Sequence, residues 1–325
     1  MPHAIRFHKT GGPEVLQWEE VAIGDPGPGE VRLDQKAAGL NYLDTYHRSG
    51  LYAMPLPSGV GMEGSAVVEA VGVGVTEFKV GDRVAYANGP IGSYSEKKIH
   101  PADRLVKLPD AISFEQGASM MLQGLTVRYL LRSLLLVPKS GDTVLVHAAA
   151  GGIGLIACQW AKALGINVIG TVSSEEKAKL AKEHGCTHTI NYTTEDFHAR
   201  VMEITGGKKV PIVYDSIGKD TWVKSLDCLQ VRGLMVSFGN ASGPVDGVNL
   251  GILAAKGSLS VVRPTLASFT AKREELVNGA KELFEHVIAG RIKVEPRQQY
   301  ALKDAAQAHR DIEARKTTGS TILVP

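Results

Sequence analysis

The sequence predicts an α/β protein of two domains, a doubly wound parallel sheet joined to a β-rich partner, and three observations carry that prediction. At 325 residues the chain exceeds what one core of ordinary size holds, roughly 100 to 200 residues per domain. Up to about residue 120, short apolar runs alternate with turn-forming residues, whereas from about 125 to 260 strands alternate with helices, as in successive βαβ units. A glycine-rich turn, Ala149 to Gly154, falls where a strand meets a helix.

Composition narrows the function classes. Hydrophobic residues make up 44% and charged residues 22%, values of an ordinary globular protein, which excludes disorder as the main state. Lys plus Arg number 36 against 34 Asp plus Glu, a formal charge of +2, so no general attraction to a polyanion exists and nucleic acid is not an expected partner. The three cysteines, Cys158, Cys186 and Cys228, form no CxxC pair, which points to a reducing compartment and a cytoplasmic protein. The opening residues from Met1 to Phe7 lack the basic end and apolar core of a secretory signal. The most apolar window, Val144 to Ala161, is interrupted by His147, Gly151-Gly152 and Gln159, so no membrane span is expected.

In the first region, Glu30 to Lys36 and Ser65 to Val71 read as strands between breakers such as Gly24 to Gly29, Gly59, Gly61, Gly64, Gly72 and Gly81. No helix dominates there. In the second region Asp142 to His147 reads as a buried strand, Gly152 to Leu164 as a helix ended by Gly165, and Asn167 to Val172 as the next strand. Glu175 and Glu176 suit the positive end of a helix running through Leu180 to Gly185. Strands Thr189 to Asn191, Pro211 to Asp215 and Leu234 to Phe238 follow, with a helix from about Lys219 to Gln230 before the last. Helices Arg273 to Ala289 and Lys303 to Ala314 and a terminal strand Thr321 to Val324 are too little for a third domain and should return to the first. The expected division is 1–124, 125–262 and 263–325.

The turn from Ala148 to Gly154 has the context a dinucleotide site needs. Gly151 lets backbone approach a pyrophosphate, Gly154 lets the helix lie close to the sheet, and the helix start offers N–H groups and a positive dipole end. Ala150, Gly152 and Ile153 belong to the same turn. Measured against GxGxxG, Ala149 stands in the first glycine position. About 20 residues on, an acid would bind the ribose of NAD; here stand Ser173 and Ser174, followed by Lys177. Hydroxyls and an ammonium donate to a 2′-phosphate, so NADPH is the expected cofactor.

The whole chain resembles the quinone oxidoreductases of the zeta-crystallin type, in the medium-chain dehydrogenase/reductase superfamily. The marks are Gly11-Gly12-Pro13-Glu14-Val15-Leu16, Ala38-Gly39-Leu40-Asn41-Tyr42-Leu43-Asp44, Gly61-Met62-Glu63-Gly64, Gly81-Asp82-Arg83-Val84 and His147 to Gly154. The resemblance implies a GroES-like β-rich catalytic domain from both chain ends, a Rossmann domain between, NADPH in the cleft and a homodimer built through the Rossmann domains. It implies that Asn41, Asp44, Tyr46 and Tyr52 border the nicotinamide half, with Gln123 and Thr126 at the domain junction. It further implies that Gly152, Ile153, Ser173, Lys177 and Tyr192 contact pyrophosphate, ribose and 2′-phosphate, and that Ser216, Phe238, Gly239 and Arg263 form the remaining wall.

Zinc enzymes of that superfamily hold their catalytic ion with a Cys and a His where this sequence has Asn41 and Met62, and no cysteine precedes Cys158. Neither a catalytic nor a structural zinc site can be assembled, so no metal is expected; His147, at a strand end, reads as a hydrogen-bonded core residue. Without a Lewis acid to stabilise an alkoxide, an electron-poor acceptor such as a quinone is favoured over a simple alcohol. Tyr46 and Tyr52 are candidate donors to the acceptor oxygen, Asn41 and Asp44 candidate positioners. Reduction of a quinone is the leading expectation. A zinc-independent enone or enal reductase, and an NADPH-binding crystallin-like protein with a structural or RNA-binding role, are the alternatives, and one-electron and two-electron transfer both stay open.

Overall fold

The computed structural model describes residues 1–325. Strands β1 (His3–Phe7), β2 (Gln17–Glu20) and β3 (Glu30–Leu40) lead into helix α1 (Tyr42–Ser49). Then come β4 (Ser58–Gly59), β5 (Glu63–Val71), β6 (Arg83–Ala87), β7 (Lys97–Pro101), β8 (Val106–Lys107) and the long helix α2 (Phe114–Arg132). The alternating stretch follows as β9 (Thr143–Val146), α3 (Gly152–Ala163), β10 (Asn167–Val172), α4 (Glu175–Glu183), β11 (His188–Asn191), α5 (Phe197–Ile204), β12 (Val210–Asp215), α6 (Trp222–Asp227), β13 (Leu229–Ser237), α7 (Gly251–Ala255) and β14 (Ser260–Val262). The chain closes with α8 (Leu266–Phe269), α9 (Arg273–Ile288), β15 (Pro296–Ala301), α10 (Ala305–Glu313) and β16 (Ser320–Val324).

Two compact units result. One comprises Met1–Leu125, Phe269–Gly290 and Val294–Pro325; the other comprises Thr126–Ser268 with Arg291–Lys293. The second unit runs past the end expected at 262, to Ser268, and it contains a strand that was not among those expected, β14.

The β-rich unit is built on β3, whose residues are buried in alternation along its first half, the period of a strand with one face in a core. One edge of β3 pairs with β5, and the other with β7 over Glu30–Asp34 and with β16 over Ala38–Leu40. The sheet order is β15-β16-β3-β5-β6-β8, and β2-β1-β4 forms a separate small sheet. The C-terminal strand thus returns to the N-terminal sheet. Its core joins Val31, Leu33, Val68, Phe78, Val84 and Tyr86.

The second unit is a six-stranded sheet in the order β11-β10-β9-β12-β13-β14, with every neighbouring pair parallel. The order reverses between β9 and β12, and at such a switch point ligands bind outside the carboxyl ends of the strands. Leu145, Ile169, Ile190, Val213 and Met235 supply the strands' share of one core face, against Phe197, Trp222 and Leu226.

Candidate functional site

In the parallel-sheet unit, the turn after β9 is stitched to strands on both sides. The His147 N–H donates to the Tyr214 carbonyl at 3.0 Å and the Ala149 N–H to the Thr171 carbonyl at 3.0 Å, with Ala148 between them at φ 55°. Gly151 then precedes α3 as its cap, offering no side-chain acceptor, and the first turn carries no acid. The positive end of this twelve-residue helix is left uncompensated, as an anion site requires. A Cβ on Gly154 would lie 2.4 Å from the Ala148 carbonyl oxygen and 2.6 Å from Ala149 atoms, so helix and turn are in backbone contact there. A Cβ on Gly151 would meet only the Ala148 oxygen, at 3.2 Å. The departure at Ala149 is also explained: a Cβ on Gly170 of β10 would sit 2.5 Å from the Ala149 Cβ. Gly170 on the neighbouring strand leaves room for the Ala149 methyl group.

At the end of β10, the Ser174 Oγ accepts the Lys177 N–H at 3.2 Å and caps α4. Ser174 is therefore partly spent on its helix, while Ser173 and Lys177 are half-buried beside it. The Tyr192 N–H donates to the Val172 carbonyl at 3.1 Å, which sets Tyr192 next to this corner with 39% of its surface exposed. No acid stands at positions 173 and 174; Glu175 and Glu176 are exposed in the first turn of α4.

Beyond β12, buried Asp215 organises the next corner. Its Oδ1 accepts the N–H groups of Ile217 (2.7 Å) and Gly218 (3.0 Å), and its Oδ2 accepts the hydroxyls of Thr221 (2.6 Å) and Ser225 (3.1 Å). The Phe238 N–H donates to the Asp215 carbonyl at 2.9 Å, and a Cβ on Gly239 would lie 2.3 Å from the Ser216 carbonyl oxygen. Arg263 Nη1 donates to the Gly239 carbonyl at 2.9 Å and to Ser237 Oγ at 3.1 Å. Ser216, Phe238, Gly239 and Arg263 are thus brought together. His147 is a core residue, its ring nitrogens 3.0 Å from Thr171 Oγ1 and 2.9 Å from Ser225 Oγ, with burial pushing its pKa down. Thr126 is buried, and its hydroxyl bonds Tyr129.

In the β-rich unit, Asn41 follows β3 and starts α1. The Asp44 Oδ2 accepts the Asn41 N–H at 2.9 Å and the Tyr94 hydroxyl at 2.8 Å. Asn41 Nδ2 donates to Glu63 Oε2 at 2.7 Å, and Gln123 Nε2 donates to Asn41 Oδ1 at 3.3 Å. Asp44 and Glu63 are fully buried, and loss of hydration pushes them up to about 7 and about 8 respectively. Tyr46 packs edge to face against Tyr42 and Tyr52, so the pair forms a wall of aromatic rings. Two members of this network, Glu63 and Tyr94, were not singled out by sequence reasoning, nor was Ser320, whose hydroxyl donates to Gln123 Oε1 at 2.7 Å. Glu63 lay inside a quoted motif, but as a strand residue its carboxylate gave no sign of a partner.

No group of three or more His, Cys, Asp or Glu is arranged to hold a metal ion. The Asn41 amide is engaged with Glu63, and all three cysteines are free and buried. The donor set does not fit a zinc site. The dinucleotide cradle does fit its group: a close-approach glycine, an uncapped helix start, and Ser173 with Lys177 where an acid would oppose a 2′-phosphate.

Residues 152–283 match the zinc-binding dehydrogenase family and residues 27–110 the alcohol dehydrogenase GroES-like domain. The quinone oxidoreductase of Pseudomonas aeruginosa is 58% identical, with 100% of each chain covered. The chain belongs to the quinone oxidoreductases. Among solved structures of this family, Escherichia coli quinone oxidoreductase complexed with NADPH is 55% identical, covers 99% of this chain and 100% of its own, and superposes with a TM-score of 0.98. A 2-haloacrylate reductase from Burkholderia is 49% identical over 100% of this chain and 99% of its own. These matches make the parallel sheet a Rossmann domain and the β-rich unit GroES-like, within the medium-chain dehydrogenase/reductase superfamily.

Proposed function

We propose that the chain reduces quinones with NADPH, the parallel-sheet unit holding the dinucleotide and the β-rich unit bordering the acceptor. The observation that carries this reading is the turn at the carboxyl ends of β9, β10 and β12, where Gly151 caps a helix start that carries no acid and where serines, not an acid, follow β10 ahead of Lys177. What NADPH supplies when bound is a hydride from its reduced ring. Gly151, Gly152, Ile153 and the N–H groups of α3 receive the pyrophosphate, and Ser173, Lys177 and Tyr192 the 2′-phosphate and its ribose. Ala150, Thr126 and Gln123, with Ser216, Phe238, Gly239 and Arg263, complete the binding set.

On the acceptor side, Asn41 Nδ2 bears two protons and spends one on Glu63; the other is free to donate to an oxygen that gains negative charge as reduction proceeds. Asp44 closes the first turn of α1 and so fixes Asn41, while Tyr46 and Tyr52 exclude water. A quinone spreads its charge over a conjugated ring, so orientation and a dry wall supply most of what it needs. We also assign a homodimer built through the parallel-sheet units, for which β14 offers one of the two sheet edges, and a cytoplasmic setting in keeping with three unpaired buried thiols. A second reading, reduction of a conjugated carbonyl or acid, is favoured by the similarity to 2-haloacrylate reductase.

The test follows NADPH absorbance with a panel of quinones, enones, haloacrylates and simple alcohols. Turnover of quinones, with NADPH strongly preferred over NADH, is expected. Absence of turnover with every quinone overturns the reading.

A further inference from the structure

Ser320, Gln123, Asn41 and Glu63 form one buried row in the β-rich unit. Ser320 Oγ lies 2.7 Å from Gln123 Oε1 and 2.9 Å from the Ser119 carbonyl oxygen. Gln123 Nε2 lies 3.3 Å from Asn41 Oδ1, and Asn41 Nδ2 lies 2.7 Å from Glu63 Oε2. The other carboxylate oxygen of Glu63 accepts the Leu122 N–H at 2.9 Å. Gly39 makes room for this: a Cβ there would stand 2.5 Å from Glu63 Oε2 and 2.2 Å from the Ala118 carbonyl oxygen. The Asp44 N–H pins neither orientation of the Asn41 amide, since it donates to the Asn41 main-chain carbonyl at 2.9 Å.

The row can run in two directions. Each amide has a donor end and an acceptor end, and the Ser320 hydroxyl has one proton with two acceptors in reach. When Glu63 is ionised it must receive: Ser320 donates to Gln123, Gln123 to Asn41, and Asn41 to Glu63, as the distances describe. When Glu63 carries a proton, its O–H donates to Asn41 Oδ1. Both amides then turn over, Asn41 donates to Gln123, Gln123 to Ser320, and the Ser320 proton moves to the Ser119 carbonyl. Any mixture sets two donors or two acceptors face to face in a buried site, which is costly.

We propose that Glu63 is a positioning residue for the reduction, its charge setting the direction of the Ser320–Gln123–Asn41 row and thereby the side on which Asn41 keeps its spare N–H. This rests on the reading of Asn41 as an acceptor-side residue. The ionisable groups facing Glu63 are Asp44, whose charge opposes its ionisation, and the phenols of Tyr86 and Tyr94, both held protonated by burial. The reversal is expected near the value of about 8 to which burial pushes Glu63.

The experiment records the side-chain amide signals of Asn41 and Gln123 in the ¹⁵N-labelled full chain from mildly acidic to mildly alkaline pH, beside kcat/KM for a quinone. Both amides should shift together with one midpoint, and kcat/KM should change by roughly tenfold or more across it, as when one donor to a developing oxyanion is redirected. In Glu63→Gln the Leu122 N–H takes the amide oxygen, so residue 63 can only donate to Asn41. Both signals should then keep their acidic positions at every pH and the kinetic limb should vanish. Separate midpoints for the two amides in the wild type, a Glu63→Gln chain that retains the wild-type midpoint, or amides that reverse with no effect on quinone turnover would each overturn the proposal. If Glu63→Gln does not fold, the wild-type midpoints alone decide. A chain that reduces no quinone refutes the proposed function, and is distinguishable because the amide titration needs no turnover.

Discussion

A single methyl group shows how residue-scale packing sets the cradle. Ala149 can occupy the place of a fingerprint glycine because Gly170 faces it, with a would-be Cβ 2.5 Å from the Ala149 Cβ and 2.7 Å from Cys186 Sγ. Gly170→Ala should therefore destabilise by roughly 1–3 kcal/mol through overpacking, and Ala149→Gly in the same chain should recover part of that loss. A double-mutant cycle by urea denaturation measures the coupling; additive effects would separate the two sites. At the cationic corner, Lys177→Glu should raise KM for NADPH far more than for NADH, because a carboxylate beside a 2′-phosphate is repelled. Steady-state kinetics with both coenzymes checks it, and equal increases would remove Lys177 from the phosphate corner. The sequence shows Lys177 and the absent acid, since residue type alone carries that argument. It does not show Glu63, whose role depends on Gly39 opening a space and on α2 presenting the Leu122 N–H, relations between segments distant in sequence.

Among the elements, legibility follows hydrophobic period. β10 and the start and end of β12 stand within a residue of their expected bounds, because buried parallel strands read as short apolar runs between breakers. Helix α2 carried no such signal: most of its residues are buried, on every side, so no polar face marks its period. The helix expected from Lys219 to Gln230 is only Trp222–Asp227, since Leu229 and Gln230 already belong to β13. β14 is three residues long and partly exposed at a sheet edge, too short for alternation to register. Capping is the part of α4 that sequence could have given, as Ser174 precedes two acids. Ser174→Ala should cost about 1 kcal/mol by losing the bond to the Lys177 N–H. Because that bond holds the turn that carries Lys177, KM for NADPH should rise modestly as well. Denaturation with an unchanged m value checks the first part and coenzyme kinetics the second; a stability loss without any change in KM would mean that the cap does not position the lysine.

Across the whole molecule, buried ionisable groups of the β-rich unit set the pH range in which the chain is stable. His100 and His309 are held neutral, their pKa values lowered to about 3 by burial. The unfolded chain binds their protons below its own value of 6.5, so their stabilisation is full above 6.5 and is lost as pH falls toward 3. Glu63 and Asp44 act in the opposite sense: their folded values, about 8 and about 7, lie above the unfolded 4.5 and 3.8. Their contribution is full below the unfolded values and is lost as pH rises through the folded ones. Between about 4.5 and 6.5 the two pairs offset one another. Between 6.5 and 7 the acids dominate, up to about 1.4 kcal/mol per pH unit for each group still titrating; beyond 7 the loss from Glu63 is countered by Lys98, whose lowered value of about 7 favours the folded state as pH rises further. Thermal unfolding should therefore show a plateau in mildly acidic solution and a decline between about pH 6.5 and 7, beyond which the loss from Glu63 and the gain from Lys98 offset one another. Glu63→Gln removes one of the two acids, so its melting temperature should fall less between pH 6.5 and 8 than that of the wild type, even where its absolute stability is lower. A parallel decline in the two chains would show that Glu63 is ionised in the folded state throughout, and that the N–H donors of Asn41, Leu122 and Met121 outweigh its burial.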